Sequence, residues 1–460
     1  FPIWHQEIED IIVLKNNKGT EDNRVRKLDY SIQISKLFYE RFIKNEEISL
    51  FSPHDVPGLY DAFGTESFDD LYTSYESDGS VPRKTIGAQE LFLDILKERA
   101  ETGRLYIMNI DHCNSHSSFL DKVEMSNLCQ EITLPTKPLE HIDDPNGEIA
   151  LCILSAVNVG KIRDLDDLKV LCDLAVRSLD ELIDFQNYPI NAAEIATKAR
   201  RSLGIGFIGL AHYLAKNGYD YNDPEAWQLV HNLTEAFQYY LISATVDLAE
   251  EKGACEYSGR TKYGNGILPI DTYKHDVDEI VPNELHYDWE DLRLRVKKHG
   301  VRNSTLSAQM PSESSSVVSN ATNGIEPPRG YLSIKKSKKG PLKQIVPQYA
   351  TLKNNYTLLW DMGSNRGYIN IVAVMQKFFD QAISGNWSYN PLQYPDNEVP
   401  ISVMAQDLLT TYKYGWKTSY YQNTYDFKTD EVDETDKESL ENLIAQLENA
   451  EEEECESCKI

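Results

Sequence analysis

The chain has 460 residues, of which 41% are hydrophobic and 10% aromatic, enough to bury a sizeable core in one large domain or several ordinary ones. Its formal charge of −27 at pH 7 excludes a general affinity for nucleic acid or for anionic membrane surfaces, because like charges repel. No apolar run reaches the roughly 18 residues of a membrane-spanning helix, and the first ten residues, FPIWHQEIED, carry neither the basic nor the apolar part of a secretory signal. FPIW, in a chain that does not begin with Met, reads as the middle of a strand and suggests a fragment, a processed chain or one piece of a split protein.

Along the chain, apolar spacing near 3.6 residues predicts a helix over 29–45 and another over 88–103, the latter closed by a glycine. RLYIMNID (104–111) reads as a short apolar strand, followed by a polar, helix-poor stretch over 112–135. The nearly continuous apolar run 147–160 predicts a strand buried on both faces, with Cys152 inside it. A helix is expected over 165–185, with Cys172 as core filler, then the apolar SLGIGFIGL, then a long helix over 226–253. Helices alternating with short apolar segments argue for an α/β fold with a largely parallel sheet or barrel. From Thr429 the composition turns acidic and almost free of aromatics, so 1–428 is read as the folded body and 429–460 as a flexible tail. Within the tail, Ser439 could cap a marginal helix with Leu440, Leu443, Ile444 and Leu447 on one face.

The seven cysteines (Cys113, Cys129, Cys152, Cys172, Cys255, Cys455 and Cys458) are odd in number and irregular in spacing, which fits a reducing, cytoplasmic setting better than a disulfide framework. Gly204 to Gly209 matches G-x-G-x-x-G, but the residues before it read as helix, so the glycines are assigned to close strand packing instead of a dinucleotide. Asp111, His112, Cys113 and His116 lack the second ligand pair of a structural zinc site, and no metal is assigned. The basic IKKSKKGPLK (334–343) is read as a solvated loop.

SNLCQE (126–131) is more pointed. In an extended segment the side chains at i, i+2 and i+4 share a face, so Asn127, Cys129 and Glu131 would converge: an amide, a thiol and a carboxylate able to bind and deprotonate a hydroxyl beside a reactive sulfur. The alternative is a polar loop with an incidental cysteine. QMPSESSSVVSNATNG (309–324) offers hydroxyls and backbone N–H groups at a helix start, either for a phosphate or as an ordinary cap. Tyr420 and Tyr421 are adjacent in a tyrosine-rich stretch and serve either packing or a redox relay.

Taken together, KNNKGTEDNRVRKLDY, LFSPHDVPGLYDAFG, DHCNSHS, SNLCQEITLPTKP, NGEIALC, RNSTLSAQMPSESSS, SNATNGIEPPRGY, WKTSYYQNT and the terminal CESCKI resemble the large, catalytic subunit of class Ia ribonucleotide reductase, in the family's order and along essentially the whole chain. The resemblance implies a ten-stranded α/β barrel of two five-stranded halves around an inner finger loop, this chain supplying the later strands and the second half-barrel. It implies reduction of ribonucleoside diphosphates, with Cys129 as the transient thiyl radical, Glu131 as base toward the 3′-hydroxyl and Asn127 as a hydrogen-bonding partner. Residues Asn127, Leu128, Cys129, Gln130 and Glu131, with Pro311, Ser312, Glu313, Ser314 and Ser315, would contact substrate, the second group at its diphosphate. Cys152 would be one half of the redox pair, Tyr420 and Tyr421 the inward radical path, and Cys455 and Cys458 the terminal dithiol. No metal or cofactor is expected on this chain; the radical would come from the diiron-tyrosyl centre of a small subunit, and electrons from thioredoxin or glutaredoxin.

The family's nucleotide-binding cone, and the strand bearing the cysteine that pairs with Cys152, have no counterpart here, and Cys113, Cys172 and Cys255 lie in the wrong contexts to replace that cysteine. The expectation is therefore the C-terminal part of a split or fragmented subunit, inactive until an N-terminal polypeptide and the small subunit join it. A non-catalytic scaffold is the competing reading, opposed by so complete a set of reactive residues; a glycyl-radical relative is opposed by the tyrosine pair and the dithiol tail. As a flexible coil the segment from Tyr421 to Cys455 has a reach of roughly 30–35 Å, enough for one dithiol to visit a buried disulfide and then an external reductant.

Overall fold

A computed structural model describes residues 1–20, 22, 24–337 and 340–426. The expected boundary at 428, the tail helix near Ser439, and Cys455 with Cys458 lie outside the described residues.

The first predicted helix divides in two. Tyr30–Ile34 is a strand, β1, because Tyr30, Ile32 and Ile34 repeat with period two and are buried; the helix Lys36–Lys44 begins only after Ser35 and stops at Asn45 in the left-handed region. β2 (Glu47–Leu50) pairs antiparallel with β3 (Lys84–Gly87). The helix Ala88–Thr102 and its Gly103 stop are as expected, and β4 (Leu105–Asn109), buried throughout, pairs parallel with β1. The stretch expected to be helix-poor starts with a short helix, Ile110–Ser115.

β5 covers only Ile153–Asn158, against the expected 147–160, and most of it is half-exposed instead of buried on both faces. It pairs parallel with β6 (Leu203–Ile208), leaving its other edge without a strand among the described residues. The helices Asp167–Phe185 and Pro224–Lys252 match the periodicity, and Cys172 is fully buried core. The basic segment read as a loop is a hairpin, β7 (Leu332–Ser337) with β8 (Gly340–Ile345). β9 (Trp387–Tyr389), β10 (Thr418–Ser419) and β11 (Gln422–Thr424) complete the strands, β10 pairing antiparallel with β4 and β11 parallel with β9.

The architecture is α/β, but the strands form one three-stranded and four two-stranded sheets, and no ten-stranded closure is seen among the described residues. The reason lies in two segments too irregular to count as strands. Ile205 N donates to Leu306 O, and Gln309 N to Ala382 O; Tyr420 N then donates to Gly385 O. Residues 305–309 and 381–385 thus link β5 and β6 through single bridges to β10, and from there to β4 and β1. Cys152, Tyr420 and Tyr421 lie beside members of this hydrogen-bonded series, and Ala382 N ties the turn 126–131 to it by donating to Glu131 O.

Candidate active site

Gly204 and Gly206 do what close strand packing requires. A Cβ on Gly204 would stand 2.6 Å from Leu154 Cδ2 and 2.8 Å from Cys152 Sγ; one on Gly206 would stand 2.6 Å from Ala308 O. Asp111, His112, Cys113 and His116 are occupied separately. Asp111 Oδ2 accepts from Tyr412 Oη at 2.5 Å, His112 Nδ1 meets Trp416 O, Cys113 Sγ faces Lys417 O, and His116 is held between Thr272 Oγ1 and Gln376 O.

The segment 126–131 is a turn, not an extended run. Gln130 N donates to Asn127 O at 3.2 Å, and Gln130 adopts φ +70°, which reverses the chain. The turn still gathers part of the expected trio. Asn127 Oδ1 accepts from Ile132 N at 3.0 Å, and the Asn127 side chain hydrogen-bonds the carboxyl of Glu131. Burial pushes the Glu131 carboxyl above the usual range, opposed by Asn127 and by Ser384. Ser384 Oγ lies 2.5 Å from Cys129 O and 3.2 Å from Glu131 Oε2, close enough to donate to either. Leu128 is exposed; Gln130 is buried, its Nε2 donating back to Asn127 O at 2.9 Å.

Cys129 is half-buried and opens onto a cleft of about 550 Å³ lined also by Met310, Pro311, Ser312, Glu313, Ser314, Ser315, Glu326, Ser384, Asn386, Tyr420 and Tyr421. The serine run begins the short helix Glu313–Val318; Pro311 and residues 313–315 are exposed along the cleft. Tyr420 Oη is 3.5 Å from Cys129 Sγ. The two tyrosine rings are 4.0 Å apart, and Tyr106, from β4, packs 4.8 Å from Tyr420 and 5.7 Å from Tyr421. Burial raises the Cys129 thiol, and the Tyr420 hydroxyl opposes the rise; burial and the sulfur push the Tyr420 phenol well up.

Cys152, just before β5, is half-buried and does not line the cleft, and desolvation pushes its thiol up to about 12. Gln381 Nε2 approaches its sulfur at 3.5 Å. The five cysteines among the described residues are all free.

Several buried polar residues escaped the sequence reading. Arg99, fully buried, donates to the carbonyls of Leu105 (2.6 Å), Tyr420 (2.7 Å) and Tyr421 (3.2 Å), and its guanidinium lies 4.6 Å over the Trp387 ring. Lys417 Nζ donates to the carbonyls of Phe379, Asp380 and Gln381. Asn386 links Tyr421 N to the buried carboxyl of Glu326. Arg99 did carry a signal, since the stripe Leu91, Phe92, Ile95 and Leu96 continues in helical phase to position 99.

Comparison with known proteins gives a consistent result. The family model described as the barrel domain of ribonucleotide reductase matches residues 1–356 and 346–422. The chain is 58% identical over 435 residues to the ribonucleoside-diphosphate reductase subunit alpha of Haemophilus influenzae, covering 94% of this chain and 58% of that protein. It is 54% identical over 438 residues to the ribonucleoside-diphosphate reductase 1 subunit alpha of Escherichia coli (94% and 58%), and 42% identical over 471 residues to the subunit alpha of Enterobacteria phage T4 (100% and 60%). The chain thus spans about 58–60% of the length of these relatives. Nearly all of it aligns with a single longer subunit, so the comparisons offer no support for a separate N-terminal partner polypeptide.

Proposed function

Since the chain belongs to the ribonucleotide reductase family through its barrel domain, we propose that it works within a large subunit that reduces ribonucleoside diphosphates to 2′-deoxyribonucleoside diphosphates by thiyl-radical chemistry. The observation that carries this reading is the 3.5 Å contact between Tyr420 Oη and Cys129 Sγ at the wall of the cleft.

A radical arriving from a small subunit with a diiron-tyrosyl centre would pass from Tyr421 to Tyr420, whose rings are in contact. The Tyr420 phenoxyl takes the hydrogen atom of the Cys129 thiol and leaves a thiyl radical. That radical removes the ribose 3′-hydrogen, while Glu131, a base made stronger by burial, takes the proton of the 3′-hydroxyl and Asn127 holds the same hydroxyl. The 2′-hydroxyl leaves as water with a proton from Cys152; Cys152 and a second thiol join in a disulfide and give two electrons, the second thiol's hydrogen going to C2′. Cys129 then returns a hydrogen atom to C3′ as Glu131 gives its proton back to the 3′-oxygen. Cys113, Cys172 and Cys255 are buried in other surroundings, so that second thiol is not among the described residues. Pro311 and the helix start at 313–315, exposed along the cleft with Ser312 buried between them, suit the substrate's diphosphate, with Leu128 and Gln130 completing the turn behind the sugar. Cys455 and Cys458 would reduce the disulfide again and draw electrons from thioredoxin or glutaredoxin.

The test is to isolate the native assembly from its source cell and assay diphosphate reduction with a dithiol reductant. Cys129→Ser is expected to abolish turnover and Tyr420→Phe to stop radical delivery; turnover surviving Cys129→Ser overturns the reading. The same purification reports whether a second polypeptide travels with the chain.

A further inference from the structure

We propose that Gln381 is the positioning residue of Cys152: its amide presents one N–H to the sulfur, fixes it over Gly204 and favours the thiolate over the thiol. The inference rests on Cys152 being a reacting thiol.

The orientation of this amide is settled by its partners. Thr133 N, which can only donate, lies 3.2 Å from Oε1, and Leu203 O, which can only accept, lies 2.9 Å from Nε2. One N–H remains, and Cys152 Sγ stands 3.5 Å from its nitrogen. The backbone is pinned as well: Gln381 N donates to Ser307 O, and Gln381 O accepts from Lys417 Nζ at 2.9 Å and from Gln376 Nε2 at 2.9 Å. The side chain is wholly buried and has no room to swing away. On another side the sulfur lies against Gly204, where a methyl group would stand 2.8 Å from it.

The remaining surroundings act against a thiolate. Glu131, from the turn, and Asp380, next to Gln381, both oppose negative charge on the sulfur, as does burial. β5, β6 and residues 305–309 carry no titratable side chain. The Gln381 N–H is the contact that favours the charged form.

Alkylation with iodoacetamide reads this directly, because only the thiolate attacks the methylene carbon as iodide leaves. In the full chain, Cys152 alkylation would be followed by peptide mass spectrometry as a function of pH. In Gln381→Met, which fills a similar volume and removes the N–H without adding a charge, the apparent pKa of Cys152 should rise by about one and the rate below titration fall about tenfold, as for loss of a hydrogen bond to a charged group. Gln381→Leu should act in the same sense, and Cys129 should be unchanged in both. A folded variant whose Cys152 profile does not move overturns the proposal. Should neither variant fold, the side-chain amide resonance of Gln381 in the unaltered chain decides: it should shift as Cys152 titrates, and a resonance indifferent to that titration overturns the proposal. None of these readouts needs reductase turnover, so a failure here leaves the proposed function standing, and loss of that function leaves this contact standing.

Discussion

Tyr420 meets the turn that carries Cys129 and Cys152 lies beside Gln381, yet their supports are opposite in kind. Tyr420 follows a strand whose neighbours are buried cations: Arg99 binds the carbonyls of both tyrosines, and Lys417 binds three carbonyls of the adjoining segment 379–381. Neither basic group is within ion-pair distance of a carboxylate among the described residues; Arg99 Nη1 and Nη2 and Lys417 Nζ donate to the backbone, while Arg99 Nε has no hydrogen-bond partner there. Cys152 precedes a half-exposed edge strand, and its sulfur is confined by one amide and by the missing side chain of Gly204. Directional bonds alone place the tyrosines; one directional bond together with excluded volume places the thiol. The first support should fail only when a donor is removed, the second also when an atom is added.

The largest effect is expected at Lys417. Burial pulls its ammonium down to about 7 from an ordinary value near 10.5. The unfolded chain therefore holds this proton between pH 7 and 10.5 while the folded chain has released it, so the group's contribution to stability rises with pH across that window and is flat below it. Over the whole window the change is at most about 4–5 kcal/mol, because the three carbonyls that accept from Nζ favour the ammonium and oppose the shift. Urea denaturation at a series of pH values should show this rise in the wild type and its loss in Lys417→Met. An identical slope in both would remove Lys417 from the account. Arg99→Met leaves three carbonyls without a donor but also removes a buried charge, and a net loss of about 2–3 kcal/mol is expected. Chemical denaturation at neutral pH measures it.

The added-atom experiment belongs to β6. Gly206→Ala puts a methyl 2.6 Å from a backbone oxygen, Ala308 O, which cannot rotate away. Gly204→Ala meets Leu154 Cδ2 and Cys152 Sγ, the ends of side chains. Both overpack, at about 1–3 kcal/mol, with Gly206→Ala at the upper end. Gly204→Ala should cost less stability but shift the Cys152 sulfur, seen as a changed alkylation rate. The reverse ranking would mean that packing around Cys152 is stiffer than the backbone beside it.

How much of this the sequence disclosed depends on how far apart the partners lie. Helices such as Ala88–Thr102 and Asp167–Phe185 were legible because their periodicity is local. Spacing points to a grouping of Asn127, Cys129 and Glu131; the structure joins Asn127 to Glu131, and by a different cause, because Gln130 at φ +70° makes a turn where alternation suggests a strand. β5 was overextended because an apolar run does not reveal which edge lacks a neighbour. Gln381, Ser384 and Asn386 left no trace, since FFDQAISGNW has no period and their partners at Cys152, Glu131 and Glu326 are 60 to 253 residues away.

The smallest expected effect separates the two supports at their meeting point. Ser384 Oγ reaches both Cys129 O and Glu131 Oε2 but has a single proton, so it can satisfy only one acceptor at a time. Its removal in Ser384→Ala should cost about 0.5–1.5 kcal/mol. The pH dependence is more telling. Glu131 is held above the ordinary carboxylate range, so the folded chain binds its proton more tightly than the unfolded chain does. Its contribution to stability is present below the unfolded pKa and is lost as pH rises through the folded one. Because Ser384 opposes the upward shift, Ser384→Ala should raise the folded pKa further and move the upper edge of that loss to higher pH. Comparing the pH dependence of denaturation in Ser384→Ala with that in Glu131→Gln isolates the term. If the Ser384→Ala curve is displaced uniformly, with the upper edge unmoved, the serine proton rests on Cys129 O and does not reach the Glu131 carboxyl.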